Sequence, residues 1–376
     1  MLGSSPTHVR ARQRTMRIEV FDDSGRPALP MLRTRGWADT RVGAWTVSQR
    51  VTHALASMVD GNDTWWVNGR WLADVEVWRG LRQLPVGRCW RVDDRVVAAR
   101  VTDGDAMTAA RLRDLPGEAC PGEARWAEHA GDVLDALPGL LVSDLGAMGG
   151  SSTSGARVHA TAVLDESTGP VRLEPGVVVG ALAVIEGPCW VGSDAVIQAH
   201  AHLRPNTSIG RACKVGGEVA GSVVHDFSNK AHYGYLGDSI VGSWCNLGAG
   251  TTTSNLKNTY GTIRLADTPS DAQGERTDTG RTRLGTVMGD YVLTGIGTML
   301  SSGTWIEPAV SLATSRLAPK RFEAFSFVTD DGDALYDFDA WRRTAETMAE
   351  RRGQTLEAAT VERMRALHAE AAARRG

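Results

Sequence analysis

The middle of the chain carries a hydrophobic residue at every sixth position. Large aliphatic side chains follow one another at this interval from residue 173 to residue 215, and the phase resumes at Tyr235 and again at Met288. The position four residues after each aliphatic is small, and glycine commonly follows the aliphatic itself. This pattern predicts a three-sided solenoid in which each hexad forms one short strand and one corner, with the large side chain inside. The first eight such positions are Leu173, Val179, Ile185, Val191, Ile197, Leu203, Ile209 and Val215.

Two stretches interrupt the six-residue pattern, at residues 220–234 and 254–287. Residues inserted into a solenoid project as loops on one face, which is often the binding face. Three of the four lysines of the chain, at positions 214, 230 and 257, lie in or next to the segment between these interruptions. We therefore expect the functional site in this part of the chain.

The regions on either side of the repeat have different patterns. Short alternating strands and amphipathic helices over residues 16–148 predict a small α/β domain, which a Gly/Ser-rich stretch separates from the solenoid. We place the solenoid at residues 149–318 and a helical tail at 319–376, with helices over 339–352 and 355–375 that dock on the solenoid or on a neighbouring subunit. Residues 1–15 are expected to form a disordered extension.

Composition excludes several functional classes. The hydrophobic fraction of 42% and the charged fraction of 23% are ordinary for a globular protein. A net charge of -3 gives no basic surface for nucleic acid or for an anionic membrane, and no apolar run is long enough to cross a bilayer. The five cysteines have no paired spacing, so we predict neither disulfides nor a metal site, and a cytoplasmic location.

The segment between the interruptions resembles a known enzyme family. The runs 228–238 (SNKAHYGYLGD), 246–251 (NLGAGT) and 253–255 (TSN) are similar to the acetyltransferase half of the bifunctional N-acetylglucosamine-1-phosphate uridylyltransferase/glucosamine-1-phosphate acetyltransferase family. The chain from residue 16 onwards resembles a GlmU-like group of sugar nucleotidyltransferases. The resemblance implies an α/β N-terminal domain of reduced nucleotidyltransferase type, a left-handed parallel β-helix, a homotrimer, and acyl-CoA sites between subunits.

The resemblance also implies roles for individual residues. His232 matches the general base, Asn246 a residue that orients it, and Ala249 the residue whose backbone N–H faces the oxyanion. The remaining matches are to substrate-binding and cofactor-binding positions. Those for the sugar substrate are Arg204, Tyr235 and Asn255, and those for the pantetheine arm of acetyl-CoA or another acyl-CoA are Ala249, Ile296 and Ala313. Lys257 or Lys214 is a candidate for a compensating cation at the sugar phosphate.

The sequence departs from the family pattern at two places. Ala220 stands where the acetyltransferases have a lysine that binds the sugar phosphate, which leaves the phosphorylation of the acceptor open. The stretch 22–26 (DDSGR) lacks the glycine-rich loop that holds a nucleoside triphosphate, so nucleotidyl transfer, with its Mg²⁺, is expected only if this domain is active. A remnant of a sugar or nucleotide site could use Asp22, Arg35, Asp39 and Arg41.

Three functions remain open on this basis. The first is a CoA-dependent acyltransferase, with acetyl as the expected group, acting on an amino- or hydroxy-sugar that is free, phosphorylated or nucleotide-linked. The second is a sugar-1-phosphate nucleotidyltransferase that makes a nucleotide sugar. The third is a non-catalytic trimer that uses the same β-helix.

Overall fold

The structure is a computed structural model that describes residues 17–24, 27–56, 63–102, 107–122, 125–267 and 276–375. The expected extension at residues 1–15 lies outside the described residues, as do residues 25 and 26 of the stretch after the first strand.

The N-terminal region is a mixed five-stranded sheet with helices around it. The strand order is β1-β2-β4-β3-β5, in which β2 and β3 run antiparallel to β4 while β1 and β5 are added in parallel at the edges. The strands are β1 Arg17–Phe21, β2 Asp63–Asn68, β3 Arg88–Val92, β4 Arg95–Thr102 and β5 Gly117–Ala119. The helices are α1 Val47–Leu55, α2 Val75–Gly80, α3 Ala109–Asp114 and α4 Ala130–Ala147, with 3-10 turns at Pro30–Arg33, Trp37–Asp39 and Leu81–Gln83.

The solenoid has three faces, each a ladder of parallel strands, which the chain visits in the repeating order 1, 2, 3. Only Gly332–Leu335, at the end of face 3, pairs antiparallel among the described strands of these ladders. Face 1 consists of Val163–Asp165, Val184–Glu186, His202–Leu203, Glu218–Ala220 and Tyr235–Gly237, and the pair Thr252–Thr253 and Met299–Leu300 continues it. Face 2 consists of Val171–Leu173, Cys189–Val191, Thr207–Ile209, Val223–Val224, Ile240–Val241, Thr286–Met288, Thr304–Ile306 and Arg321–Phe322. Face 3 consists of Arg157–Val158, Val178–Val179, Val196–Ile197, Lys214–Val215, Asn229–Lys230, Asn246–Leu247, Leu293–Thr294, Ser311–Ala313, Ser326–Thr329 and Gly332–Leu335.

The interior of the solenoid confirms the six-residue pattern over its first part. All eight aliphatic positions from 173 to 215 are buried, and the small residues four positions later are buried with them. Cys189, Cys213 and Cys245 are among these interior residues, and burial raises the pKa of each thiol to about 12. The predicted fold class, an α/β region followed by a hexapeptide-repeat β-helix and C-terminal helices, is confirmed.

Two details of the repeat were predicted wrongly. Residues 220–234 are not an inserted loop, because Val223–Val224 and Asn229–Lys230 take their places in the ladders of faces 2 and 3. The interior residue of the next strand is Leu236, which pairs in register with Val219, whereas Tyr235 points outwards beside Glu218. Both differences arise because this coil is shorter than three full hexads.

The second predicted interruption is an insertion in the structure. Between face 1 and face 2 the chain leaves the solenoid after Thr253 and returns at Thr286, and it forms an antiparallel pair of Arg264–Leu265 with Thr277–Asp278. At the C-terminal end the ladders continue past residue 318, since Arg321–Phe322 and Ser326–Thr329 add rungs to faces 2 and 3.

The N-terminal region covers face 2. The outward side chains of this face, including Trp190, Ile240 and Trp305, are buried in one cluster with residues of α4. Polar contacts hold the same interface: both oxygens of Asp290 accept hydrogen bonds from the Arg35 guanidinium, and Asp290 Oδ2 also accepts from the Thr34 hydroxyl at 2.5 Å. The two parts therefore share a packed core.

Two helices close the C-terminal end, α5 Phe338–Glu350 and α6 Ala358–Arg375. Met364, Leu367 and Ala371 of α6 are buried in one cluster with Trp341 of α5 and with Phe325 at the end of the chain's own solenoid. From the sequence, we expect these helices to dock on the solenoid or on a neighbouring subunit. In the structure they dock on the chain's own solenoid.

Candidate functional site

The corner between face 3 and face 1 carries the predicted base. We call it corner 3/1 and define it by residues 231–234, 248–250 and 295–297 of three successive rungs. His232 is exposed there, and its imidazole makes no hydrogen bond to any residue that the structure describes. Tyr233 beside it is 71% exposed and lies over Gly250, where φ is +77° and a Cβ would come within 2.9 Å of the tyrosine hydroxyl. The imidazole is therefore free to meet a substrate.

A buried lysine fixes the backbone of this corner. Lys230 occupies an interior position, in register with Val215, and only 3% of it is exposed. Its ammonium donates to the carbonyl oxygens of Gly216, at 2.8 Å, and of His232, at 3.0 Å. Burial lowers the pKa of Lys230 to about 8. Sequence reasoning noted this lysine only as one of a cluster, although its place six residues after Val224 marks it as an interior position.

The corner also brings the predicted cofactor residues into one column. Ala249 stacks on His232, because the N–H of Gly250 donates to the carbonyl of Tyr233 in the rung below at 3.1 Å. The N–H of Ala249 has no acceptor among the described residues. Ile296, which is 82% exposed, follows in the next rung, and Ala313 is exposed in the rung beyond, where it lies over Gly295, the neighbour of Ile296. The N–H of Ile296 likewise has no acceptor among the described residues. Ala249 differs from Ile296 because it stacks directly on His232.

Tyr235 and Asn255 meet on the outer side of face 1. The Asn255 amide donates to the Tyr235 hydroxyl oxygen, at 3.0 Å, and to Asp238 Oδ2, at 2.6 Å. Burial and the nearby carboxylates of Asp238 and Glu218 raise the pKa of Tyr235. The phenol therefore keeps its proton, and because its oxygen already accepts from Asn255, that proton is available to an acceptor molecule.

Arg204 lies at the end of a face 1 strand, two coils before Tyr235. Its guanidinium donates to Glu218 Oε1 at 3.3 Å, with both side chains about half exposed. An exposed ion pair of this kind adds little stability, so an anionic ligand can replace the carboxylate at small cost.

Two predicted residues lie away from this group. Asn246 points outwards from face 3, where its Oδ1 accepts from Asn229 Nδ2 at 3.3 Å. The Lys257 ammonium donates to the carbonyl of Thr262 within the insertion. A single chain therefore brings His232, Ala249 and Ile296 to one corner and Tyr235, Asn255 and Arg204 to face 1, but leaves Asn246 on another face.

The N-terminal candidates do not form one site. Arg35 binds Asp290, and Arg41 binds Asp226 at 3.0 Å and lies over the Trp190 ring, so both arginines hold the interface with the solenoid. Asp22 accepts from Arg70 and Trp37, while Asp39 is exposed.

A separate cleft lies where β1 ends. It has a volume of about 450 Å³ and is lined by Asp23, Arg95 and Glu128, among others. Burial would raise the pKa of Asp23, but hydrogen bonds from Arg95 and Asn68 outweigh it and lower the pKa.

One histidine outside corner 3/1, His225, is buried at the interface between the two regions. Its Nε2 accepts from the backbone N–H of Arg41 at 3.1 Å and its Nδ1–H donates to the Val241 carbonyl at 2.8 Å. Burial and the nearby Arg35 lower its pKa to about 3, so the ring is neutral. No cluster of three or more metal-ligating side chains occurs among the described residues.

None of the described helices combines the length and the apolar composition that crossing a membrane requires.

Residues 18–147 match the family model described as sugar nucleotidyl transferase. Among curated proteins, the bifunctional protein GlmU of Methanococcus vannielii is 37% identical over 165 residues, which cover 43% of this chain and 38% of that protein. GlmU of a Cyanothece species is 36% identical over 132 residues, 33% of this chain and 27% of the relative. The chain thus spans well under half the length of these relatives.

Solved structures are more distant. The UDP-N-acetylglucosamine acyltransferase of Campylobacter jejuni is 13% identical with a TM-score of 0.21, covering 55% of this chain and 94% of that one. The acetyltransferase domain of PglB from Neisseria gonorrhoeae, solved with acetyl coenzyme A, is 11% identical with a TM-score of 0.15, covering 48% and 54%. The N-terminal region thus matches the sugar nucleotidyl transferase model, part of the chain is similar to GlmU proteins, and the C-terminal half is a hexapeptide-repeat β-helix.

Proposed function

We propose that this protein is a CoA-dependent acyltransferase that acetylates an amino- or hydroxy-sugar, with His232 as the general base. The observation that carries the proposal is the pairing, on two stacked rungs of corner 3/1, of an unpartnered imidazole with the unpaired N–H of Ala249. Neighbouring rungs of a parallel ladder are about 4.8 Å apart, which is close enough for both groups to act on one reacting centre.

The reaction follows from these groups. The neutral imidazole takes the proton of the attacking amine or hydroxyl as the new bond to the thioester carbonyl forms. The Ala249 N–H donates to the oxygen that becomes negatively charged. The tetrahedral intermediate then expels the CoA thiolate, which takes the proton from the imidazolium. The products are the acylated sugar and free CoA thiol.

Face 1 supplies the binding groups for the acceptor. The Tyr235 hydroxyl, oriented by Asn255, donates to the sugar, and Arg204 binds a phosphate if the sugar carries one. The exposed apolar side chains of Leu182, Tyr233 and Met299 on this face and its corner support a homotrimer, with the pantetheine arm along Ile296 and Ala313 between protomers.

A steady-state assay with acetyl-CoA and a panel of amino sugars, following thiol release, tests this proposal. We expect His232→Ala to lower kcat by at least about a hundredfold. His200→Ala is the matched control, because His200 is also exposed at the turn between faces 3 and 1, two rungs below, and should leave the rate unchanged. An inert wild-type protein, or full activity in His232→Ala, would reject the assignment.

A second candidate is nucleotidyl transfer by the N-terminal region, which the family match over residues 18–147 favours. The cleft beside Asp23 and Arg95 is the place for it. The test follows the release of pyrophosphate from a nucleoside triphosphate and a sugar 1-phosphate in the presence of Mg²⁺. If no pyrophosphate is released and the triphosphate stays intact, this activity is dismissed.

A further inference from the structure

A groove between face 3 and α5 has an unbalanced positive charge. We call it the α5 groove; its volume is about 590 Å³, which is within the usual range for small-molecule sites. Four cations line it, Lys214 from face 3 and Arg343, Arg351 and Arg352 from α5 and its end, and none of the lining residues is acidic. The chain as a whole has 44 acids for 41 Lys and Arg, so a cationic lining without a carboxylate departs from the background.

Three of these cations have no acidic partner. Lys214, Arg343 and Arg351 are exposed and form no ion pair with any described residue. Arg343 and Arg351 are eight residues apart on one face of the helix, which places their Cα atoms about 12 Å apart. Two guanidinium forks at this spacing, opposed by an ammonium, can surround more than one phosphate group.

The fourth cation orders the opposite wall. The Arg352 guanidinium donates to the Ala212 carbonyl at 2.8 Å and to Asn229 Oδ1 at 2.5 Å. Asn229 Nδ2 in turn donates to Asn246 Oδ1 at 3.3 Å. This chain of bonds leaves the Asn246 amide group as a further donor facing the groove. The groove therefore presents hydrogen-bond donors, and its ligand must be rich in acceptors.

The remainder of the lining is apolar or aromatic. Phe227 and Trp244 stack on each other with centroids 4.3 Å apart, so their edges form a rigid wall, and Leu293 and Met348 complete it. A ligand that fits both parts has phosphates at one end and a ring system or apolar group at the other.

We propose that the α5 groove binds the diphosphate ester of a nucleotide ligand, with Arg343, Arg351 and Lys214 on the phosphates. The inference rests on the proposed function only for the choice of ligands, since both an acyl-CoA and a nucleotide-linked sugar carry such a diphosphate. The acetyltransferases bind a phosphate with a lysine at the position of Ala220. In the proposed site the cations of α5, on another face, bind phosphate groups instead.

Isothermal titration of the full chain with CoA, with UDP-N-acetylglucosamine and with inorganic pyrophosphate tests this site. We expect wild type to bind CoA or the nucleotide sugar, pyrophosphate to compete, and high salt to weaken binding. Arg343→Gln and Arg351→Gln should each weaken binding by about tenfold or more, since each removes a charge-assisted contact to phosphate. Arg342→Gln is the matched control, because Arg342 lies on the same helix, pairs with Glu346 and does not line the groove.

The outcomes separate this proposal from the proposed function. Preference for CoA or for the nucleotide sugar identifies the source of the diphosphate, and either supports the site if the two arginine variants lose it. If a chain with both Arg343→Gln and Arg351→Gln binds with unchanged affinity, the site is overturned. The site is also overturned if wild type binds none of the three ligands. Binding that depends on the arginines in a protein without acyl transfer upholds the site and rejects only the proposed function.

Discussion

Replacing Lys230 tests whether an ammonium group is buried beneath the candidate base. Lys230 stands at an interior position of the β-helix, in register with Val215, and burial lowers its pKa from 10.5 to about 8. A side chain whose pKa is lower in the folded than in the unfolded chain releases its proton first in the folded protein. The cost of holding the charge in the interior is therefore present in full at neutral pH and falls as the pH rises from about 8 to 10.5.

The size of this effect follows from the difference in pKa. One pKa unit corresponds to about 1.4 kcal/mol, so the whole shift amounts to about 3 kcal/mol. Raising the pH from about 7.5 to about 10 recovers roughly 2 kcal/mol of that cost. Wild type should gain this amount of unfolding free energy relative to Lys230→Met, which has a similar length and no proton to lose.

The assay is urea unfolding at the two pH values and at a fixed protein concentration. The change in the free energy of unfolding between the two pH values is compared between wild type and each variant. Comparing changes removes the titration of all other groups, which the proteins share. Lys214→Met is the control, since Lys214 is exposed on the same face in the preceding coil and should behave as wild type. If the free energy of unfolding changes equally with pH in wild type and in Lys230→Met, the ammonium of Lys230 is not buried as proposed.

Three further predictions concern the site, the interface and assembly. Asn255→Ala frees the Tyr235 hydroxyl and should lower kcat/KM by about tenfold in the acyl-transfer assay, with Asn258→Ala in the insertion as an unaffected control. Asp290→Asn leaves the largely buried Arg35 guanidinium without its carboxylate partner and should lower the free energy of unfolding by about 3 kcal/mol, which an unchanged urea midpoint would contradict. Met299→Asp places a charge among the exposed apolar residues of face 1 and should dissociate the proposed trimer in light scattering, whereas a trimer that stays intact would exclude this face from the interface.

The fold was predictable wherever the coil has its regular length. A residue that must fill a narrow interior at each sixth position leaves a signal in one sequence, and Leu173 to Val215 are all buried as that signal requires. The signal failed at the short coil, where Val224 follows Ile209 after 15 residues instead of 18. A fixed period then assigned Tyr235 to the interior and overlooked Lys230, which occupies an interior position with a polar end that reaches the corner.

The site was predictable only in part, because its members come together through stacking. His232 and Ala249 are separated in sequence by one coil, so the repeat itself predicts that they share a corner. The α5 groove depends instead on where a C-terminal helix docks, and no local pattern relates Arg343 to Lys214. In the same way, Arg35 and Arg41 have the residue type of a phosphate site, and only the packed structure shows that they bind Asp290 and Asp226.

The distribution of the candidate residues over two faces leads to a last prediction. Face 2 is covered by the N-terminal region, whereas His232 lies at corner 3/1, Tyr235 on face 1 and Asn246 on face 3. A threefold assembly in which face 1 of one protomer meets face 3 of the next would complete each site from two chains.

Co-expression of two inactive chains tests this arrangement. If His232→Ala and Asn246→Ala are each inactive, a mixed trimer contains sites whose imidazole comes from one chain and whose amide comes from the other. Random mixing would make about a quarter of the sites intact, so the mixture should recover about a quarter of the wild-type rate. Mixing the separately purified trimers without exchange of subunits is the control and should stay inactive. A co-expressed mixture that is equally inactive would mean that each chain uses its own Asn246, and the two faces would then not meet across an active site.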